Sequence, residues 1–156
     1  MMKYHASNAA RRENQRRSMA RRLAMQALYQ WHLTDHPAGQ ICLQFKDDID
    51  YPKADPDYFD RIVHEVIERH EELDGYLAPH IVRGIETLDP VSHAVLQIAA
   101  WEMAHEPSVP FKVVINEAVA LTKKFGATDA YKMVNGVVDK LVPQFRALEK
   151  QAAKGR

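Results

Sequence analysis

Seven cations crowd the first 22 residues of this chain, Lys3, Arg11, Arg12, Arg16, Arg17, Arg21 and Arg22, against a single acid, Glu13. Arg12 and Arg16, and again Arg17 and Arg21, stand four apart, the spacing that puts side chains on one face of a helix, where like charges repel. An anion relieves that repulsion. Arginine suits a phosphate, offering forked donors for its oxygens and a plane that stacks on bases. The cluster therefore reads as a polyphosphate-binding arm, with RNA the sharper candidate and a solvated tail the bland one. Arginine-rich segments often order only on their RNA, so residues 1–15 are expected to fold on binding.

The other reactive side chains converge less. His32 and His36, at i and i+4, could face one ion, but Pro37 follows at once and no third ligand is near in sequence. His64 and His70 do not share a helical face. Cys42 is alone, which leaves no intramolecular disulfide and points to a reducing compartment. No phosphate-cradling glycine loop, nucleophile elbow or HExxH occurs, and the six glycines are scattered. The expectation is no catalytic residue, no cofactor and no metal.

These groups need elements to carry them. The arm's net +6 is balanced by −6 over the remaining 134 residues, which places a basic segment on a mildly acidic body. With 156 residues and 46% hydrophobic content, that body is one ordinary domain. Residues 3–22 are too polar for a signal segment and no run reaches membrane-spanning length, so a soluble cytoplasmic protein without membrane contact is expected. Ala20, Leu23, Ala24, Ala27, Leu28 and Trp31 keep the helical period and predict a first helix from about Arg16 to Leu33. Asp35, Pro37 and Gly39 stop it, Ile41–Phe45 adds a short turn of helix, and Lys46–Asp55 reads as a surface loop. Asp55–Pro56 and Asp89–Pro90 each combine a capping carboxylate with a proline suited to the first helical turn. The first pair opens a helix through Phe59, Ile62 and Val66; the second opens an apolar, central helix through Trp101. Between them Leu73, Leu77, Ile81 and Ile85 form a segment interrupted by Gly75, Pro79 and Gly84. Val114–Phe125 and Ala130–Leu141 supply two more helices, with Gly126 as a left-handed cap, Asp129 as an N-cap and Pro143 beyond the end. No run alternates with period two. The class is all-α, about seven helices, with an arm at 1–15, one domain at 16–148 and a tail at 149–156. Asn116 and Asn135 are expected as buried or half-buried amides and Gly136 as a site of close helix approach.

Three segments, in this order, carry a resemblance: RRSMARRLAMQALYQW at 16–31, LDPVSHAVLQIAAWEM at 88–103 and VPFKVVINEAVALTKKFGATDAYKMVNGVVDK at 109–140. Over about residues 12–142 the chain resembles the NusB family of bacterial transcription antitermination factors. The resemblance implies two three-helix bundles packed roughly perpendicular, and an adaptor rather than an enzyme. Such adaptors bind single-stranded boxA-type leader RNA of ribosomal RNA operons together with NusE, a small-subunit ribosomal protein, in the RNA polymerase antitermination complex.

Carried over by residue, the resemblance puts RNA contacts on Arg12, Arg16, Arg17 and Arg21 and on Asp129, Lys132 and Met133. The family often has Phe where this chain has Met133, which changes what a base can stack on. Ser18 and Met19 interrupt the arginine run that relatives continue. The NusE face is implied around Tyr29, Glu86 and Ser92, the last standing where some relatives have an acid; a half-buried core tyrosine is the other reading of Tyr29. Two alternatives remain beside the adaptor. One is an accessory RNA-binding module of the kind fused to RNA cytosine methyltransferases, against which stands the lack of a catalytic domain or second cysteine. The other is a self-associating structural protein, a homodimer that masks the arm.

Overall fold

A computed structural model describes the backbone of residues 2–154 and the side chains of residues 8–154. Lys3 of the arm falls outside the described side chains. Among the described residues all regular structure is helical, eight α-helices with short 3-10 turns and no strand. The chain divides into two compact units, Met1–Ile67 and Glu68–Arg156.

The first unit contains α1 (Met2–Thr34), α2 (Ala38–Phe45) and α3 (Pro56–Glu68). Helix α1 begins well before Arg16. The first 22 residues hold no proline or glycine, and Ala9, Ala10, the arginines, Glu13 and Gln15 are good helix formers, so nothing stops the helix from running back along the arm. Its apolar stripe, Ala20, Leu23, Ala24, Ala27 and Leu28, is at most 1% exposed and joins Ile41, Phe59, Ile62, Val63 and Val66 in the core. Each large aliphatic side chain so buried contributes about 1.5–3 kcal/mol. Asp55 caps α3 as its sequence predicts, its Oδ1 accepting the Tyr58 N–H at 3.1 Å. The expected surface loop 46–55 is fastened down. It holds a 3-10 turn at Tyr51–Lys53, Ala54 is buried, and the Tyr51 ring meets Phe59 edge-on at 6.0 Å.

The second unit contains α4 (His70–Leu77), α5 (Pro90–His105), α6 (Phe111–Phe125), α7 (Ala130–Phe145) and α8 (Ala147–Lys154). Helix α5 is central as expected: it packs on α4, α6 and α7, and every residue from Ala94 to Met103 is buried. Its cap also holds, with Asp89 Oδ2 accepting the Ser92 N–H at 3.0 Å. The interrupted segment before it resolves into α4 and two 3-10 turns, Ala78–His80 and Ile85–Thr87, because Pro79 removes a donor and Gly84 sits at φ 94°.

Two expectations at the α6–α7 junction are corrected. Gly126 is not left-handed; its φ is −89°, and glycine is required because a Cβ there would lie 2.7 Å from the Thr122 carbonyl oxygen. The left-handed residue is Asp129, at φ 68°, and its side chain makes no cap hydrogen bond. Aspartate is among the few residues that adopt this conformation at modest cost. Helix α7 also runs through Pro143 to Phe145, since Val142 and Arg146 on either side are buried and hold the last turn in place. The expected tail is then α8. Arg146 anchors it by donating to the carbonyls of Glu102, Met103, Glu106 and Val109, and Glu149 Oε2 accepts the otherwise uncapped Phe111 N–H of α6 at 2.8 Å.

Candidate nucleic-acid interface

Residues 9–16 of α1 are exposed, so Arg11, Arg12 and Arg16 reach solvent. Arg16 is also a fastener. Its Nη2 donates to the Ala54 carbonyl at 3.0 Å while its own carbonyl accepts the Asp55 N–H at 3.1 Å. Farther along, the arginines turn inward. The guanidinium of Arg17 lies 4.6 Å from the centroid of the Tyr58 ring and that of Arg21 5.5 Å from it, with Arg61 of α3 at 5.8 Å. A cation over an aromatic face is attracted by the ring quadrupole. Arg21 is only 3% exposed, Arg17 is half-buried, and Arg22 lies 3.9 Å from Asp50. The repulsion that the spacing of Arg17 and Arg21 implies is thus answered inside the protein by Tyr58. Among the described residues of the cluster, Arg11, Arg12 and Arg16 are the exposed cations, and Arg16 is partly engaged by Ala54.

The second group of expected RNA residues opens α7. Asp129 and Lys132 are 65% and 67% exposed in their side chains and pair at 3.7 Å, and Met133 is 36% exposed. Lys132 and Met133 border a cleft of about 460 Å³ whose opposite wall is the segment from His80 to Asp89. Two structural expectations nearby fail: Asn116 and Asn135 are exposed, and no atom lies within 4 Å of where a Cβ on Gly136 would be, so no helix approaches there.

Of the expected partner residues, Tyr29 is 40% exposed, which leaves its ring at the surface rather than in the core. Glu86 is exposed, and its carboxylate occupies the space that a Cβ on Gly84 would take, so the positive φ of Gly84 and the pose of Glu86 go together. Ser92 departs from its expected place on a contact face. It is wholly buried in the first turn of α5, and its side chain reaches no surface.

The remaining reactive groups do not assemble. Cys42 lies 3.9 Å from His64 Nδ1, but burial, reinforced by the Asp60 carboxylate, pushes its thiol up to about 12 and keeps it protonated. Asp35, at φ 57°, ends α1 before His36, so His32 and His36 do not share a helical face. Among the described residues no three His, Cys, Asp or Glu side chains converge on a point that could hold a metal ion. No described helix is long and apolar enough to cross a membrane.

The sequence profile of the NusB family matches residues 18–143. The transcription antitermination protein NusB of Pseudomonas entomophila (strain L48) is 47% identical over 139 residues, 89% of this chain and 84% of its own length. That of Burkholderia cenocepacia (strain HI2424) is 46% identical over 138 residues, 88% of this chain and 95% of its own. In fold, T. maritima NusB matches with a TM-score of 0.77 at 24% identity, covering 86% of this chain and 96% of that one. An all-helical chain with an arginine-rich first helix, matched by the family along most of its length and nearly half identical to such relatives, belongs to the NusB family.

Proposed function

We propose that this chain is a non-catalytic, RNA-binding adaptor of transcription antitermination. It acts in the cytoplasm on single-stranded boxA-type leader RNA of ribosomal RNA operons, together with NusE, within the RNA polymerase antitermination complex. The observation that carries this reading is the exposed stretch of α1 holding Arg11, Arg12 and Arg16, in a chain whose relatives are transcription antitermination proteins.

The division of labour follows from burial. Arg11, Arg12 and Arg16 neutralise backbone phosphates and release counterions, a contribution blind to sequence. Arg17 and Arg21 act indirectly, fixing α1 through the Tyr58 stack. Lys132 adds a phosphate contact at α7, and Met133 offers an apolar surface to an unpaired base. Tyr29 and Glu86 supply the NusE contacts, with Glu86 suited to a basic partner.

Anisotropy titration of labelled boxA leader RNA, with the protein alone and premixed with NusE, tests the proposal. Binding should be tighter with NusE, and the three or four phosphates neutralised by Arg11, Arg12, Arg16 and Lys132 should contribute about −2 to −3 to the log–log salt slope. Absence of binding at low ionic strength even beside NusE would defeat the reading.

A further inference from the structure

We infer that the cleft along α7 is a pocket for one unpaired nucleotide of the bound RNA, with the base against the helix at Gly136 and phosphates on Arg83 and Lys140. The inference rests on the RNA-binding reading above and adds to it a place where a single base is held.

The cleft's volume of about 460 Å³ falls in the range of roughly 300–1,000 Å³ typical of small-molecule pockets. Its walls combine two chemistries. Ile81, Val82, Met133 and Val137 are apolar, and Val82 is fully exposed, an arrangement that costs free energy unless something covers it. Arg83, Lys132 and Lys140 supply positive charge around them, against one lining acid, Asp89, whose Oδ2 is engaged by the Ser92 N–H. Apolar walls with a cationic rim match a nucleotide, whose flat base wants cover and whose phosphates want cations.

Gly136 is the second observation. It sits in the interior of α7, where glycine costs about 1 kcal/mol relative to alanine. Neither of the usual reasons for glycine applies. Its φ is not positive, and a Cβ would meet nothing within 4 Å. Gly136 instead lines the cleft, where any side chain would project into the open space. What the glycine preserves is room for a flat group to approach the helix.

The test pairs a filled pocket with an incomplete RNA. Gly136→Leu should bind boxA RNA about ten-fold more weakly, the size of one base's stacking. Its melting temperature should stay equal or rise, since leucine favours the helix at this exposed position. In a scan of boxA RNAs each carrying one abasic nucleotide, one position should cost wild-type protein a similar factor and cost Gly136→Leu nothing further. Arg83→Ala, at an exposed side chain, gives an independent reading: weaker binding and a salt slope shallower by about 0.7. If wild-type protein binds the RNA while Gly136→Leu and Arg83→Ala bind equally well, or if the abasic losses simply add, the pocket is overturned and the RNA-binding reading stands. If wild-type protein binds no RNA, that reading fails first.

Discussion

Arg146 shows how much one side chain can hold. Its guanidinium, nearly inaccessible to water, donates to four carbonyl oxygens at the end of α5 and in the following loop, and pairs with Glu149 at 2.7 Å. Arg146→Ala would leave buried carbonyls unsatisfied and should lower the unfolding free energy by about 3 kcal/mol or more in urea titration. Arg146→Lys should recover only part, because an ammonium cannot span the same set. The α1 arginines divide by the same logic. Arg21→Ala removes a buried cation from the Tyr58 face and should cost about 1–2 kcal/mol of stability, while Arg12→Ala should leave the melting point unchanged and weaken RNA binding. Equal melting points for the two variants would refute the division. At α7, Met133→Phe should tighten RNA binding by about 1 kcal/mol if a base reaches that surface, and no gain would mean none does.

Among the elements, α4 and α5 are tied by paired acids and histidines. Glu72 Oε2 lies 2.6 Å from His105 Nε2 and accepts from Tyr76, and Asp74 Oδ1 lies 2.8 Å from His93 Nε2 and accepts from Gln97. The hydrogen bond from His105, joined by those from Tyr76 and Arg69, holds the Glu72 carboxyl below its usual range. A depressed carboxyl stabilises fully above the ordinary glutamate pKa of about 4.3 and loses that share as pH falls through the lower folded value. His105→Ala should therefore lower the urea midpoint at neutral pH and flatten its decline below about pH 4. An unchanged acid limb would remove Glu72 from the account. At this scale the sequence was legible wherever the signal was local. The Asp55–Pro56 and Asp89–Pro90 starts appear as read, because cap and helix lie within three residues. Helix α8 was not legible, because its anchor residue Arg146 bonds carbonyls some 40 residues away.

Across the whole molecule, a formal net charge of zero conceals a +6 arm balanced by an acidic remainder. That layout favours RNA attraction through the arm without a general affinity for polyanions. Light scattering should accordingly find one chain per boxA RNA. A dimer that persists with RNA bound would show that self-association does not mask the arm.

The order of residues was enough to specify the helical class, most helix starts and the family blocks, since period, caps and motifs are short-range properties of the chain. It also placed Arg16, Arg17 and Arg21 on the first helix, while Arg12, read as part of the arm, joins that helix only in the structure. Which of them face water was decided only by tertiary structure. Helical spacing fixes a side chain's direction about its own axis, but burial depends on what packs against that side. Tyr58, Ala54 and Asp50, distant in sequence, take up Arg21, part of Arg16 and Arg22. The same holds for Ser92, a reachable helix-start residue by sequence and a wholly buried one once the second unit has packed.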